Sequence, residues 1–323
     1  MHRKLLDVLV DPLTGDPLQL AADSGVEPIE AGELVSPSGA RYPIVRGIPR
    51  FVQDHYAESF GYQWNLFSKV QLDSANGGSY SRRRFNEELQ WDSAELKGKW
   101  VVDAGCGAGR FSEIAASYGA EVLAVDLSSA VDATAQNLAA WPNVHPIQAD
   151  ITRLPLRRDQ VSFLYSIGVI QHTPDPVTTT RRLVQFLGPG ARFGFTIYGR
   201  RPWTLLHSKY LIRPLTSRLT PERLLGMIRS VMPVMFRVTS ILFSLPLLGP
   251  LARFIIPIAN YTWQKDLPRE IRYQQSILDT FDMLSPRYDR PLATKQVQRA
   301  LVDLASDLRF VSRVPIIVSG VRR

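Results

Sequence analysis

A glycine-rich turn follows a short apolar run and has the most informative residue spacing in the chain. The run spans residues 100–104, and glycines then occupy alternate positions at Gly105, Gly107 and Gly109. Glycine tolerates positive φ and has no Cβ, so a ligand can lie against the backbone, and a helix that begins there offers free N–H groups. The dinucleotide fingerprint G-x-G-x-x-G requires a third glycine at position 110, which is Arg110. The spacing therefore favours a nucleoside-type ligand over a dinucleotide.

Carboxylates accompany three successive apolar runs. Asp103 precedes the turn, Asp126 ends the run 121–126 about 20 residues later, and Asp150 follows the run 144–148. A carboxylate at the second place can accept hydrogen bonds from both ribose hydroxyls of a nucleoside. Asp150 taken alone is equally typical of a helix N-cap or of an acid in a turn. In register with one glycine turn, the three acids predict a ligand site at the carboxyl ends of parallel strands.

The pattern D-x-G-C-G-x-G resembles the first motif of class I S-adenosylmethionine-dependent methyltransferases. The resemblance implies an α/β, Rossmann-like fold with a mostly parallel seven-stranded sheet and S-adenosylmethionine as cofactor. It also implies that ten residues of the motif and of the next strand ends bind the cofactor: Asp103, Gly105, Cys106, Gly107, Gly109, Asp126, Leu127, Asp150, Ile151 and Ser166. Cys106 is either a small packing residue or a nucleophile, and its place in a tight turn favours packing. Methyl transfer from a sulfonium requires no metal, and none is predicted.

A candidate general base lies in the next motif. The run 161–176 resembles the fourth motif of methyltransferases of the ubiquinone-biosynthesis type, in which the strand end lies beside the methyl donor and a histidine follows. Gln171 departs from that pattern, because the family commonly has a second histidine or a glutamate at this position. His172 either acts as a base, since imidazole titrates near neutral pH, or holds the loop by hydrogen bonding to the backbone. Tyr288 and Asp289 are further candidate proton acceptors.

The chain divides into five predicted segments. They are an N-terminal β module, an aromatic helical connector, the cofactor-binding core, a helical insert, and a C-terminal helix with two strands, at residues 1–53, 54–99, 100–198, 199–293 and 294–323. The first resembles the zinc-ribbon-like module that activates several methyltransferases. Asp11, Thr14, Ser36 and Gly39 stand where metal-binding versions carry cysteines, so no structural zinc is predicted. The module is either a substrate cap or a stabilising appendage.

Two polar or aromatic stretches leave their roles open. The connector is rich in aromatic residues: Tyr56, Phe60, Tyr62, Trp64, Phe67, Tyr80 and Phe85. They form either a lid over the cofactor or ordinary core on one helix face, beside a solvated face that includes the arginines of residues 81–84. Residues 278–291 are dense in acids, tyrosine and arginine, and are predicted to form a loop before an amphipathic helix at 294–304.

The insert combines a basic stretch with an apolar one. Residues 199–237 hold eight arginines and lysines against one acid, a net +7 of the chain's +8, whereas residues 238–263 contain one charge, Arg253. Prolines and that arginine interrupt the apolar run within the about 20 residues that a spanning helix needs. The two stretches fit an interfacial helix on an anionic membrane, a lid over an apolar acceptor, or packing in a homodimer.

Composition narrows the function. Apolar residues make up 45% of the chain and charged residues 21%, which is typical of a globular protein. The single cysteine is compatible with a reducing cytoplasm. If the insert binds a membrane, the protein is peripheral to it. The resemblance implies methyl transfer to a small-molecule acceptor, with an oxygen atom and an apolar or amphiphilic acceptor favoured. The alternatives are an RNA methyltransferase and a non-catalytic cofactor-binding scaffold. Nucleic acid is disfavoured because the basic stretch lacks the aromatic interleaving of a single-strand platform.

Overall fold

The computed structural model describes residues 1–22, 25–52, 57–264 and 268–323. Tyr56, one of the aromatics predicted for the lid, lies outside them. The chain begins with a four-stranded antiparallel sheet whose strands follow sequence order: β1 (Gln19–Leu20), β2 (Ala31–Val35), β3 (Arg41–Val45) and β4 (Ile48–Pro49).

This N-terminal sheet shares its apolar side chains with the rest of the molecule. Leu34 and Ile44 are buried in the same core as Ile147 of the central sheet. Directly after β4, the amide of Phe51 donates to the carbonyl of Gln148 at 2.8 Å. Apolar burial stabilises by about 25 cal/mol per Å² removed from water. The N-terminal sheet is therefore held by apolar contacts and backbone hydrogen bonds to the central sheet, while its resemblance to an activator module stays a prediction.

The middle of the chain alternates helices and strands. Three helices come first: α1 (Glu58–Leu66), α2 (Asp73–Asn76) and α3 (Tyr80–Leu89). The alternating core follows: β5 (Trp100–Ala104), α4 (Arg110–Ser117), β6 (Glu121–Asp126), α5 (Ala130–Asn137), β7 (Val144–Gln148), β8 (Val161–Ile167), α6 (Pro176–Phe186) and β9 (Arg192–Ile197). Helix α6 begins where the Asp175 carboxylate accepts from the amides of Val177 and Thr178, as an N-cap residue does.

Five helices and a C-terminal hairpin complete the described chain. The insert helices are α7 (Ser208–Thr216), α8 (Pro221–Leu242), α9 (Leu248–Ile255) and α10 (Arg269–Leu284). After them come α11 (Thr294–Leu301), β10 (Ala305–Arg313) and β11 (Ile316–Arg322). This arrangement confirms the prediction of a helical insert before the C-terminal strands.

The large sheet has seven strands in the order β10-β11-β9-β8-β5-β6-β7. Neighbours among β5 to β9 pair in parallel, and the C-terminal hairpin pairs antiparallel with β9. The predicted mostly parallel, Rossmann-like sheet is confirmed. The strand order reverses between β5 and β8, and in open α/β sheets ligands bind in the crevice outside such a switch point.

The insert has a hydrophobic core of its own between α8 and α10. Ile228 and Phe236 of α8 pack with Ile277 and Phe281 of α10, and Phe67 after α1 joins them. The prediction of a loop over 278–291 is wrong in its first half, because α10 continues to residue 284. Its buried residues recur at helical spacing: Ile277, Leu278, Phe281 and Leu284.

Candidate cofactor and acceptor site

A cavity of about 370 Å³ lies at the carboxyl ends of the parallel strands. We call one part of its wall the turn half, formed by residues that follow β5, β6 and β7 and by two aromatics of α1: Gly105, Cys106, Gly107, Asp126, Leu127, Asp150, Ile151, Phe60 and Trp64. We call the other part the helix half, formed by side chains from α3, α4, α7 and α10, from the ends of β8 and β9 and from the segment before α10: Tyr80, Arg84, Arg110, His172, Tyr198, Lys209, Tyr261, Gln275, Asp279 and Asp282.

The glycine turn has the backbone conformation that its sequence predicts. Gly105 has φ +94°, and a Cβ at this position would lie 2.5 Å from the side chain of Val169. Gly109 has φ +89°, and its Cβ would lie 2.8 Å from Leu138, which directly follows α5. Gly105 lines the cavity, whereas Gly109 is where α4 and α5 approach closely. Glycine is therefore required at both positions, at one of them for packing alone.

Asp126 lies at the end of β6 with its carboxylate held by the turn. One oxygen accepts from the Gly107 amide at 3.0 Å, and the other accepts from the amide and hydroxyl of Ser128 at 2.9 and 2.7 Å. Burial raises the pKa of Asp126, although these hydrogen bonds act to lower it. A carboxylate has about four acceptor positions, so capacity for ribose hydroxyls remains.

Asp150, Ile151 and Leu127 line the cavity beside Asp126. The Asp150 carboxylate also accepts from the Thr152 amide at 2.7 Å, as a turn-stabilising acid does. The structure thus gives Asp150 both of the places that its sequence position left open, a turn and a cavity wall.

Two predicted cofactor residues lie behind the cavity wall. Asp103 accepts from the Ser112 hydroxyl at 2.7 Å, which ties β5 to α4, and burial raises its pKa to about 7. The Ser166 hydroxyl donates to the carbonyl of Ala104 at 2.7 Å. Both residues fix the strand ends and do not line the cavity.

Cys106 lines the turn half but is poorly suited to act as a nucleophile. Burial raises the pKa of its thiol, as do the nearby carboxylates of Asp126 and Asp103. Its sulfur lies 3.5 Å from the Thr134 hydroxyl. Because the thiolate is the nucleophilic form, these surroundings favour the packing role.

In the helix half, α10 presents a polar stripe to the cavity. Gln275, Asp279 and Asp282 stand at i, i+4 and i+7, which places them on one face of the helix. Burial, with the negative charge of Asp282, raises the pKa of Asp279 to about 7. The Gln71 amide donates to Asp279 at 3.0 Å, and the Gln63 amide donates to Asp282 at 2.9 Å.

Arg110, the residue that breaks the dinucleotide fingerprint, points into the helix half. Its guanidinium donates to the Gln71 side-chain oxygen at 2.7 Å and to the Ser81 hydroxyl at 2.9 Å. Burial, together with the neighbouring Arg84, lowers the pKa of Arg110 to about 10. Arg84 donates to Glu88 at 2.5 Å. Of the arginines interpreted as a solvated face, Arg84 therefore belongs to the cavity.

His172 lines the cavity where the two halves meet. Its Nδ1 lies 2.9 Å from the carbonyl oxygen of Tyr288. A carbonyl only accepts, so Nδ1 carries the hydrogen and Nε2 is the acceptor nitrogen of the neutral ring. The rings of Phe60 and Tyr198 lie 5.2 and 5.5 Å from the imidazole. The loop-anchoring alternative is observed, and the role of His172 as a base stays a prediction for which Nε2 is the available nitrogen.

Tyr288 and Asp289 support His172 and do not line the cavity. Tyr288 contributes its carbonyl to the histidine. Asp289 accepts from the Lys209 ammonium at 2.8 Å, with side chains 1% and 14% exposed. Burial acts to raise the pKa of Asp289, but Lys209 and the nearby His172 outweigh it and hold the pKa below its usual value.

Sequence reasoning missed most of the helix half, because its residues come from distant parts of the chain. The spacing of Gln275, Asp279 and Asp282 was the available signal. Among the described residues, no group of three or more His, Cys, Asp and Glu side chains is placed to hold a metal ion.

The seven-stranded sheet with its reversed C-terminal hairpin is the fold of class I, S-adenosylmethionine-dependent methyltransferases. In agreement, residues 102–195 match the family model described as Methyltransferase domain. The match covers β5 to β9, so it includes the glycine turn, Asp126, Asp150 and His172.

Curated relatives share this part of the chain. The ubiquinone biosynthesis O-methyltransferase of Coxiella burnetii is 32% identical over 107 residues, which are 32% of this chain and 46% of that protein. The one from Pseudomonas fluorescens is 28% identical over 129 residues, 38% of this chain and 56% of that protein. The chain spans about half the length of the curated relatives it matches.

Solved structures include an S-adenosylmethionine-dependent methyltransferase from Mesorhizobium loti. The two chains are 33% identical where they match, and the match covers 32% of this chain and 49% of that chain, with a TM-score of 0.29.

Proposed function

We propose that this chain transfers the methyl group of S-adenosylmethionine to a hydroxyl oxygen of a small apolar or amphiphilic acceptor in the cytoplasm. The observation that carries the proposal is the position of His172, whose Nδ1 is fixed by a carbonyl and which lines the cavity between its two halves. The names of the curated relatives, which are O-methyltransferases, support an oxygen acceptor.

The turn half fits S-adenosylmethionine. Gly105 and Gly107 line the cavity without a Cβ, so a ligand there can lie against their backbone. Asp126 would accept the ribose hydroxyls, and Asp150 and Ile151 would contact the adenine. When bound, the cofactor supplies a methyl group already activated by its sulfonium.

The helix half would hold the acceptor. Aromatic rings of Phe60 and Tyr198 flank the imidazole and exclude water from it. His172 would accept the hydroxyl proton at Nε2, which increases the negative charge on the acceptor oxygen. The Asp289 carboxylate then stabilises the imidazolium. In-line alignment of acceptor and methyl group supplies the rest of the acceleration.

The His172→Gln variant tests this assignment, with His2→Gln, at a half-buried histidine that does not line the cavity, as the matched control. We expect kcat toward a panel of phenols and catechols to fall about 10²- to 10⁴-fold while calorimetric affinity for S-adenosylmethionine stays unchanged. Full activity of the variant would overturn the base. Wild-type protein that binds neither S-adenosylmethionine nor its demethylated product would overturn the function itself.

A further inference from the structure

The insert exposes a large apolar surface. Helix α8 has a buried stripe against α10 and a second stripe, at helical spacing, on its exposed side: Met227, Val231, Val234, Val238 and Ile241. Helices α7 and α9, the residues before α7 and those between α8 and α9 add further exposed side chains: Trp203, Leu205, Leu206, Leu211, Leu215, Leu245, Leu247, Leu248, Leu251 and Ile255. We call these fifteen residues the apolar face.

The parts of the apolar face lie beside one another. The guanidinium of Arg253, on α9, donates to the carbonyl of Phe243 at the end of α8 at 2.6 Å. The ring of Phe254 lies 5.3 Å from that of His207, which precedes α7. Leu247 is 91% exposed between α8 and α9. Contiguous apolar surface of this extent marks an interaction site in a folded protein.

Arginines accompany the apolar face with little acid to neutralise them. Exposed arginines of residues 199–255 are Arg200, Arg201, Arg218, Arg223, Arg229, Arg237 and Arg253, whereas the exposed acid there is Glu222. Arg223 stands four residues before Met227, and Arg237 stands four before Ile241. Since residues four apart are neighbours on a helix, both arginines flank the exposed stripe of α8.

We propose that the apolar face docks on an anionic lipid bilayer, with its leucines in the acyl boundary and its arginines among the head groups. Helix α8 is, by length and composition alone, apolar enough to cross a membrane, with a mean hydropathy of 1.4 over its most apolar window. Its other stripe, however, is buried against α10. The helix therefore lies in the plane of the interface, as amphipathic surface helices do.

Charge decides between a bilayer and other occupants. A two-fold dimer would place this face against itself and bring the net +7 of residues 199–237 close to an identical charge. A nucleic acid would neutralise the arginines but leave fifteen apolar side chains in water. An anionic bilayer satisfies both kinds of residue, because it offers negative head groups above an apolar interior.

The apolar face adjoins the cavity. A groove lined by Trp203, His207 and Phe254 shares Tyr198 and Lys209 with the helix half. An amphiphilic acceptor in the bilayer therefore has a route along this groove to His172. The route rests on the proposed function, whereas docking itself does not.

Co-sedimentation of the full chain with vesicles tests the docking. We expect binding to equal parts of phosphatidylglycerol and phosphatidylcholine, and weak binding to phosphatidylcholine alone or at high salt. Leu247→Ser/Leu251→Ser/Ile255→Ser should lower the partition coefficient at least about tenfold. Arg223→Gln/Arg237→Gln should lower it about 20-fold.

Matched controls carry the same substitutions elsewhere on the surface. Leu13→Ser/Val302→Ser and Arg83→Gln/Arg299→Gln should bind vesicles as wild type does, and every variant should keep its calorimetric affinity for S-adenosylmethionine. Wild-type protein left in the supernatant would overturn the proposal. So would equal binding to neutral vesicles, or a stable dimer that the α9 substitutions dissociate. If the chain docked on vesicles but transferred no methyl group, the proposed function would be overturned and the docking proposal would stand.

Discussion

The two halves of the cavity are built by different means. In the turn half, backbone conformation places the ligand-facing groups, and carboxylates such as Asp126 only have to accept hydrogen bonds. The helix half buries charged side chains with partners: Lys209 with Asp289, Arg84 with Glu88 and Arg110 with Gln71. A substitution in the turn half therefore removes a ligand contact, whereas one in the helix half leaves a buried charge alone, which is costlier for the fold.

The largest effect should follow from Asp289→Ala. The variant leaves the Lys209 ammonium buried without its carboxylate, so we expect the free energy of unfolding to fall by about 3–5 kcal/mol, measured by urea denaturation. The double variant Lys209→Met/Asp289→Ala should lose much less. Asp303→Ala, which breaks the exposed pair with Arg181, should leave the free energy of unfolding nearly unchanged, because solvent screens that pair. A cost equally small for Asp289→Ala would show that the helix half does not bury its charges.

The second effect is a pH dependence of stability. Burial and the negative charge of Asp282 raise the pKa of Asp279 to about 7, whereas the pKa of an aspartate in an unfolded chain is about 4. The folded chain keeps a proton that the unfolded chain releases, so this stabilisation is complete below about pH 4 and falls by up to about 1.4 kcal/mol per pH unit until about pH 7.

Asp279→Asn should remove this contribution. Urea denaturation across that pH range should give a flatter profile for the variant, with the slope due to Asp103, another buried acid of raised pKa, remaining. Superimposable profiles would show that Asp279 is ionised in the folded chain. The two halves would then differ less in their burial of charge.

A smaller effect is expected in the turn half. Asp126→Ala should weaken S-adenosylmethionine binding by about 1.5–3 kcal/mol, because ribose hydroxyls lose a buried acceptor. Calorimetry measures the change, and Asp159→Ala, at an acid away from the cavity wall, serves as control. If a folded Asp126→Ala variant bound the cofactor as tightly as wild type, the assignment of the turn half would be wrong.

No effect is expected from metal removal. Asp11, Thr14, Ser36 and Gly39 offer no thiolate, and the N-terminal sheet has apolar contacts to hold it. Elemental analysis should find no stoichiometric zinc, and a chelator should leave the thermal midpoint unchanged. One zinc per chain that resists chelation would contradict this.

The turn half was predictable because its geometry is encoded locally. Positive φ at Gly105 and a carboxylate at the end of β6 follow from adjacent residues, whatever the rest of the chain does. The fold class followed from the same alternation of apolar runs and turns. Asp103 and Ser166 show the limit of motif reasoning, since a residue inside a motif can serve the strand behind the cavity wall.

Most of the helix half other than His172 was not predictable, because tertiary contacts create it. The residues near Arg110 in the sequence do not predict that Gln71 or Asp279 will be its neighbours in the fold. The acids of residues 278–284 were interpreted as a loop because polar density was weighed above the apolar spacing around Phe281. Helix α10 continues to Leu284 and ends two residues before Pro286, which has no N–H with which to extend the helix.

The hydrogen bond from Phe51 to Gln148 has a consequence for how the molecule avoids aggregation. Strand β7 is one edge of the large sheet, and an open edge is a template for pairing with another chain. The chain after β4 covers part of that edge. The opposite edge, β10, carries Asp307, Arg309 and Arg313 and two register shifts, which interrupt intermolecular ladders. The chain after β4 thus shields the β7 edge, and charged residues shield the β10 edge. Molecules packed at high density on a surface should therefore not pair through the edges of their sheets.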